Sequence, residues 1–513
     1  MKELFNDEER RLGQKISELS YCNPFLPERI NFEREILGKD FLKTEATWNI
    51  RANNKDERPN IPIIIKRAEE LIEKLRNRLL QGANASEKDL TIYEDMALFI
   101  LYHRFNVKFQ EIITVTKDQE RAIEAGTFYK EFLIKAKYFL HIRGVKFPSQ
   151  HDIPHLFSIF FQIKRAFHHI FSFIVGGSMA SAKLRAAVWQ SIFTHNLKRY
   201  ERQLYKIMGD ITTLITGPSG TGKELVARAV GMSRYIPFDE KPGCFKEDFT
   251  RTFYPLNISA LTPTLVESEL FGHKKGAFTG ALQDRTGWLE ACSPLGTVFL
   301  DEIGEINPLI QVKLLRVIQD RNFQRIGDTK NRLFQGKIIA ATNRNLSEEM
   351  ERGTFRRDFY YRLCSDTIIT PSLSEQLRES PEELHNLVLF IARGRVGEEA
   401  EKLSQEVVNW IGGNLGREYS WPGNIRELEQ CIRNIMIRNE YHPPEVQDKG
   451  ARQVLGGEIM SGSLTAEEVL ERYCTLVYSQ TGSYQATAKK IGLDRRTVKA
   501  KIDNDLLEKL KGC

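Results

Sequence analysis

One segment constrains this chain more than any other: Gly217-Pro218-Ser219-Gly220-Thr221-Gly222-Lys223, set between the apolar run ITTLIT and the helical pattern ELVARAVG. Glycines at this spacing let backbone N–H groups fold around phosphate oxygens at a helix N-terminus, and the lysine reaches the β- and γ-phosphates of a nucleoside triphosphate. A strand, a phosphate loop and a helix in that order commit the segment to an α/β fold. A Ser or Thr ordinarily follows the lysine to hold Mg²⁺; here Glu224 stands in that place and becomes a candidate metal ligand of a different chemical type.

Further short apolar runs bounded by turn residues, FYPLNIS, GTVFLDE and GKIIAATN, alternate with helical patterns through 172–440. That arrangement predicts a parallel sheet flanked by helices. From about 380 to 440 the pattern is helical without strand signals. The run TVFLDE ends in Asp301 and Glu302, two carboxylates directly after a buried strand and about 80 residues beyond the phosphate loop. In this Walker B position Asp301 can hold Mg²⁺, directly or through water, and Glu302 can orient and deprotonate an attacking water.

At roughly 150 residues per domain, 513 residues predict about three to four domains. With 41% hydrophobic and 28% charged residues, wholesale disorder is excluded. A formal charge of +6 is too diffuse to argue for a nucleic-acid partner without a local basic patch. The seven cysteines lie far apart with no C-x-x-C pair, which fits reduced thiols in a cytoplasm rather than a disulfide framework or a zinc site. The start, MKELFNDEERRLGQ, is charged where a signal peptide is apolar, and no stretch approaches the roughly 18 apolar residues that span a bilayer. The expectation is a cytoplasmic chain with no membrane partner.

Residues 1–171 read as a mostly helical domain, with helices expected near 65–80 and 94–105. Phe160, Ile163, Phe167, Ile170 and Ile174 recur at steps of three and four, one face of an amphipathic helix packed into a core. His168 and His169 invite a metal site, but neighbours on a helix point about 100° apart and cannot share one ligand face. The segment 441–463, punctuated by proline and glycine, reads as a linker. The final block, 464–513, reads as helix, Gly482 turn, short helix, Gly492 turn and a basic helix, a helix-turn-helix. Lys489, Lys490, Arg495, Arg496, Thr497, Lys499 and Lys501 supply the local patch, and over 485–513 eight basic residues face four acidic ones. Such a patch fits double-stranded DNA.

The octet GPSGTGKE, the hexapeptide Gly276-Ala277-Phe278-Thr279-Gly280-Ala281, VFLDEIGEI, the ATN at 341–343, FRRDFYYRL and WPGNIRELEQ occur in the order found in sigma-54-dependent transcriptional activators. The chain resembles these bacterial enhancer-binding proteins of the AAA+ class over about 172–440, and its C-terminus is similar to their Fis-type helix-turn-helix. Glu224 agrees with the family's common GKE, while Pro218 departs from the usual Glu. The resemblance implies a multidomain chain: a regulatory domain of unknown type over 1–171, an AAA+ α/β ATPase core over 172–375, a helical lid over 376–440, a linker over 441–463 and a DNA-binding domain over 464–513.

The resemblance also implies roles. Asn257 resembles the switch asparagine that restrains the catalytic glutamate, Asn343 resembles sensor I, which reads the γ-phosphate, and Arg426 resembles sensor II in the lid. Arg356 and Arg362 match two arginine fingers that a neighbouring subunit inserts, where a fixed guanidinium fork stabilises charge on the transferred phosphoryl. The loop 276–281 is implied to touch sigma-54, its four small residues presenting the Phe278 ring and the Thr279 hydroxyl at an exposed tip. ATP and Mg²⁺ are the implied cofactors. Sigma-54 with RNA polymerase, enhancer DNA and further copies of the chain in a hexameric ring are the implied partners, in a nucleoid-associated setting. The implied function is ATP hydrolysis that remodels the sigma-54 closed complex and opens promoters. Two other readings are an AAA+ remodeller without sigma-54 contact and a DNA-binding repressor with an inactive ATPase; the intact Lys223, Asp301, Glu302 and arginine set disfavours the latter.

Overall fold

The computed structural model describes residues 3–45, 47, 58–119, 125–248, 252–416, 418–443, 464–503 and 506–507. The chain forms two compact units, Met1–Ile437 and Arg438–Cys513. From residue 444 onward, the segment expected as a linker lies outside the described residues.

Eight helices open the larger unit: α1 (Asp7–Tyr21), α2 (Glu28–Leu37), α3 (Asn60–Leu80), α4 (Glu87–Gln119), α5 (Gly126–Leu140), α6 (Ile153–Phe173), α7 (Met179–Phe193) and α8 (Leu197–Arg202). Local signals start several of them. Asn6 and Glu9 exchange side-chain and backbone hydrogen bonds in a capping box before α1, and the Ser178 hydroxyl accepts from Ser181 N ahead of α7. The helices expected near 65–80 and 94–105 lie within α3 and α4, and the aromatic amphipathic stretch is α6, with Ile174 at its C-cap. No described helix is long and apolar enough to cross a membrane.

The α/β part follows: β1 (Thr213–Thr216), α9 (Lys223–Gly231), β2 (Phe238–Asp239), β3 (Cys244–Phe245), β4 (Phe253–Asn257), α10 (Pro263–Phe271), α11 (Trp288–Ala291), β5 (Thr297–Asp301), α12 (Pro308–Asp320), β6 (Asn322–Phe323), β7 (Arg332–Leu333), β8 (Lys337–Thr342), α13 (Leu346–Glu351), α14 (Arg357–Leu363) and β9 (Asp366–Ile369). Helices α15 (Leu373–Glu379), α16 (Glu383–Val396), α17 (Ala400–Asn414) and α18 (Asn424–Arg438) complete it. Five strands make one all-parallel sheet in the order β4-β5-β8-β1-β9. The four apolar runs of the sequence are β1, β4, β5 and β8, and β9 is an edge strand that the sequence did not reveal.

Strand side chains alternate between two faces, so the sheet separates two cores. Leu214, Val298, Leu300, Ile338 and Ala340 face one cluster with α10 and α12. Ile215, Phe299, Ile339, Ala341 and Ile368 face the other. This second cluster continues without a break into the N-terminal helices. The hairpin β2-β3 joins them through aromatic rings: Phe161 stacks on Phe245 at 4.1 Å, and Phe157 meets Phe238 edge-on at 4.8 Å.

Helix α6 also holds the C-terminal end of α9. Gln162 Nε2 donates to Ser233 O at 2.9 Å, and the buried Arg165 guanidinium donates to Met232 O at 3.1 Å and to Arg234 O. These acceptors lie in the turn that follows α9, where helix carbonyls lack intrahelical partners and a cation is favoured. The helix that carries the phosphate loop at its N-terminus is therefore anchored at its other end by the N-terminal helices.

The smaller unit contains three described helices, Ala466–Thr481, Tyr484–Ile491 and Arg495–Ala500. Thr465 and Glu468 form a capping box at the start, Gly482 and Gly492 end the first two helices at φ values of 63° and 75°, and Asp494 caps the third. Cys474, Val477, Ala488 and Val498 are buried between them.

Candidate functional site

The phosphate loop connects β1 to α9 at the C-terminal edge of the sheet, beside the point where the chain's path through the strands reverses. Gly217, Gly220 and Gly222 have φ values of 147°, 78° and 84°, and a Cβ on Gly217 would stand 2.1 Å from Thr370 Oγ1. Among the described residues, the N–H groups of Gly220, Thr221, Gly222 and Lys223 donate to no protein acceptor. A row of such donors at a helix N-terminus suits an anion. Lys223 is buried, and its Nζ turns back to Gly217 O and Pro218 O, both at 3.1 Å. Burial holds its amine below the usual lysine range, against the pull of Glu302 and Asp301.

Asp301 ends β5, and Glu302 follows it in a left-handed conformation with φ of 55°. A non-glycine residue in that region carries strain of order 1–3 kcal/mol, and such strain clusters at functional sites. Glu302 N donates to Asp301 Oδ1 at 3.1 Å, and Glu302 Oε2 accepts from Asn343 N at 3.2 Å. Burial first, and the Glu302 charge second, push the Asp301 carboxyl above its usual range. Two carboxylates thus stand near a lysine that donates to two carbonyls; among the described residues no cluster of three or more metal-ligating side chains is present. Glu224 Oε1 is engaged by Arg228 at 2.8 Å, one helical turn on.

Asn257 lies on β4 opposite Asp301, and its Oδ1 accepts from Ser259 Oγ at 2.8 Å. The structure thus brings Glu302 to Asn343; no hydrogen bond joins Glu302 to Asn257 among the described residues. Arg356 is exposed at the N-cap of α14 and grips Asp358 with Nε and Nη2 at 3.0 and 2.7 Å. Arg362, in the last turn of α14, is exposed, with no ion-pair partner among the described residues.

Helix α18 reaches the loop from the helical segment beyond β9. Asn424 Nδ2 donates to Ser219 O at 2.9 Å, its Oδ1 accepts from Leu373 N at 2.8 Å, and Ile425 N donates to Gly220 O at 3.0 Å. Arg426 Nη1 stands 3.5 Å from Ser219 Oγ. Thr370 Oγ1, just past β9, lies 2.7 Å from Thr221 Oγ1. Asn424 is 3% exposed with φ of 52°, a conformation asparagine tolerates better than alanine. Asn424→Ala is expected to leave the buried Leu373 N–H without its partner and to free the part-buried Ser219 carbonyl, lowering stability by about 1–3 kcal/mol in a thermal or urea melt, and to weaken nucleotide binding in a titration.

The loop 276–281 closes on itself through Gly276 N to Ala281 O at 2.8 Å and Ala281 N to Phe278 O at 3.0 Å. Gly276 and Gly280 have φ values of 80° and 99°. Thr279 is exposed as expected, whereas the Phe278 ring is half-buried, edge-on to His273 at 4.9 Å. Edge-on contact with a neighbouring ring removes apolar surface from water, so the tip offers its hydroxyl and Leu282, 84% exposed, ahead of the phenyl ring.

In the smaller unit Lys489, Lys490, Arg495, Arg496, Thr497 and Lys499 are exposed. Lys501 differs: its Nζ donates to Glu467 and, at 3.2 Å, to Glu471, which raises the amine above its ordinary range.

Residues 192–369 match the profile of the Sigma-54 interaction domain. This part of the chain is similar to sigma-54 interaction domains. Over 229 residues, 45% of this chain and 40% of its own, the Nif-specific regulatory protein of Azotobacter vinelandii is 43% identical. The transcriptional regulatory protein ZraR of Salmonella typhimurium is 38% identical over 57% of this chain and 63% of its own. The hydrogenase transcriptional regulatory protein HoxA of Bradyrhizobium diazoefficiens is 36% identical over 59% of this chain and 61% of its own. The chain thus spans between 40% and 63% of the length of these relatives. The likeness to sigma-54-dependent activators read from the motifs is borne out.

The matched stretch holds the phosphate loop, Asn257, the 276–281 loop, Asp301, Glu302, Asn343, Arg356 and Arg362, while Arg426 lies beyond it. Two residues that touch the phosphate loop, Thr370 and Asn424, also fall outside that stretch and were not singled out from the sequence. Asn424 stands inside WPGNIRELEQ, so the signal was present; what the sequence withheld was that this turn returns to Ser219.

Proposed function

We propose that this chain is an ATP-hydrolysing transcription activator that binds DNA and remodels the sigma-54 RNA polymerase closed complex so that promoters open. The observation that carries this reading is that one stretch similar to sigma-54 interaction domains contains both a phosphate loop with unengaged N–H donors beside Asp301 and Glu302 and an exposed Thr279 tip. In this reading residues 1–171 regulate, 172–375 form the ATPase core, 376–440 the lid, 441–463 the linker and 464–513 the DNA-binding domain.

The loop N–H groups bind the phosphates of ATP, and Lys223 exchanges its carbonyl partners for phosphate oxygens. Asp301, with Glu224 as the second candidate ligand, would hold Mg²⁺, which would supply positive charge against the phosphates. Glu302, positioned by Asn343 N–H, takes the proton of an attacking water as the water oxygen bonds to the γ-phosphorus and the bond to the bridging oxygen breaks, releasing ADP and phosphate. Arg356, at the N-cap of α14, and Arg362, in its last turn, are exposed and suit action on the site of a neighbouring copy in the proposed hexameric ring. Steady-state ATPase measured with and without sigma-54 tests the reading: hydrolysis that responds to sigma-54 is expected, and hydrolysis indifferent to sigma-54 at saturating concentration contradicts the sigma-54 role.

For DNA, Arg495 and Arg496 at the start of the third helix of the smaller unit suit base edges or adjacent phosphates in a major groove, with Lys489, Lys490, Thr497 and Lys499 beside them. Arg495→Ala is expected to cost roughly 1–3 kcal/mol and relax sequence preference, and Lys499→Ala to lower the salt slope by about one. Lys501→Ala is expected to leave the slope unchanged and lower the melting temperature, because its ammonium is already held by Glu467 and Glu471. Binding isotherms at several salt concentrations and a thermal melt separate these outcomes.

A further inference from the structure

A cavity of about 280 Å³ lies between the N-terminal helices and the sheet, at the sheet edge opposite the phosphate loop. Gln162, Tyr205 and Lys206 line it from the helical side, and Ser233, Arg234 and Lys337 from the α/β side. Its lining contains three cations, Lys206, Arg234 and Lys337, and no carboxylate. In size it stands near the lower end of small-ligand pockets, roughly 300 Å³.

The cations are arranged with donors to spare. Lys337 opens β8 and is 3% exposed. Its Nζ donates to Ile211 O at 2.6 Å and Met208 O at 3.3 Å, two of its three protons, and the third meets no protein acceptor among the described residues. Arg234 is half-buried and uses Nη1 on Pro294 O and Gly296 O, leaving Nε and Nη2 without a hydrogen bond among the described residues. The nearby carboxylates stand outside the lining: Asp366 accepts from Ser191 and Thr213 at 2.5 and 3.0 Å, and Asp210 pairs with Arg321 at 2.7 Å. Cations that converge on one cavity with no carboxylate in its lining repel one another. Burial pushes the Lys337 amine down to about 7 and the Arg234 guanidinium down to about 10.

We infer that this cavity binds a small multiply charged oxyanion, carboxylate or phosphate, held by Lys337 and Arg234 from the sheet side and by Lys206 from the helical side. The anion relieves the repulsion among the three cations and accepts the spare protons of Lys337 and Arg234. Because the same cavity is lined by Gln162 and Ser233, which are bonded to each other across the junction, occupancy fastens the N-terminal helices to the end of the phosphate-loop helix.

Isothermal titration of the full chain, without nucleotide, with citrate in one arm and inorganic phosphate in the other tests this. Saturable binding in at least one arm is expected; it weakens about tenfold in Lys337→Met and severalfold in Lys206→Glu, as loss of charge-assisted hydrogen bonds or charge requires, and it persists in Lys223→Ala, whose phosphate loop is disabled. The arm that binds identifies the carboxylate or phosphate source. Lys206 is exposed, so the Lys206→Glu variant decides the matter if Lys337→Met does not fold. No binding in either arm, binding that Lys206→Glu leaves at full strength, or binding lost in Lys223→Ala overturns the proposal.

Discussion

Lys223→Ala is expected to abolish ATP binding, whereas Glu302→Gln retains binding and loses turnover by about 10²–10⁴-fold, the range for removing a positioned general base. The two defects separate because the groups meet different parts of the reaction. Lys223 lies under the loop with its Nζ on Gly217 O and Pro218 O, ready to exchange those acceptors for phosphate oxygens. Glu302 stands across from it, its carboxylate fixed by Asn343 N–H and its backbone held at a φ of 55°. Gln keeps the shape and the acceptor oxygen for that N–H but cannot take a proton from water. Nucleotide titration and steady-state hydrolysis on both variants check the pair; a Glu302→Gln protein with parental turnover removes Glu302 from the chemistry.

Thr279→Ala is expected to leave ATP hydrolysis near the parental rate and to block promoter opening. Thr279 is exposed at a loop tip held by its own backbone bonds, while Phe278 is folded against His273. Loss of one exposed hydroxyl disturbs no packing and no group that faces the phosphate loop. Paired measurements of hydrolysis and open-complex formation check it, and a variant that still opens promoters removes the hydroxyl from the coupling.

Strands β1, β5 and β8 were legible because burial writes a continuous apolar run: β8, with all six residues buried, reads KIIAAT. The edge strands β4 and β9 each bury a single residue fully, but β4 carries Phe253, Tyr254 and Leu256, whereas DTII offers only two apolar residues. Arg165 looks in sequence like a solvated charge on an aromatic helix, yet it is buried against the carbonyls that follow α9, a long-range contact that no periodicity encodes. Asp301, Glu302 and Lys223 could be singled out from their order and type. The left-handed turn at Glu302, the return of Asn424 to Ser219 and the capture of Lys501 by Glu467 and Glu471 depend on distances across the fold.

The most direct measurement of the central claim is open-complex formation by sigma-54 RNA polymerase on a supercoiled sigma-54 promoter, with the full chain and either ATP or a non-hydrolysable analogue. Melted promoter with ATP and closed promoter with the analogue is the expected result. A promoter that stays closed while the same protein hydrolyses ATP in the same reaction would contradict the account.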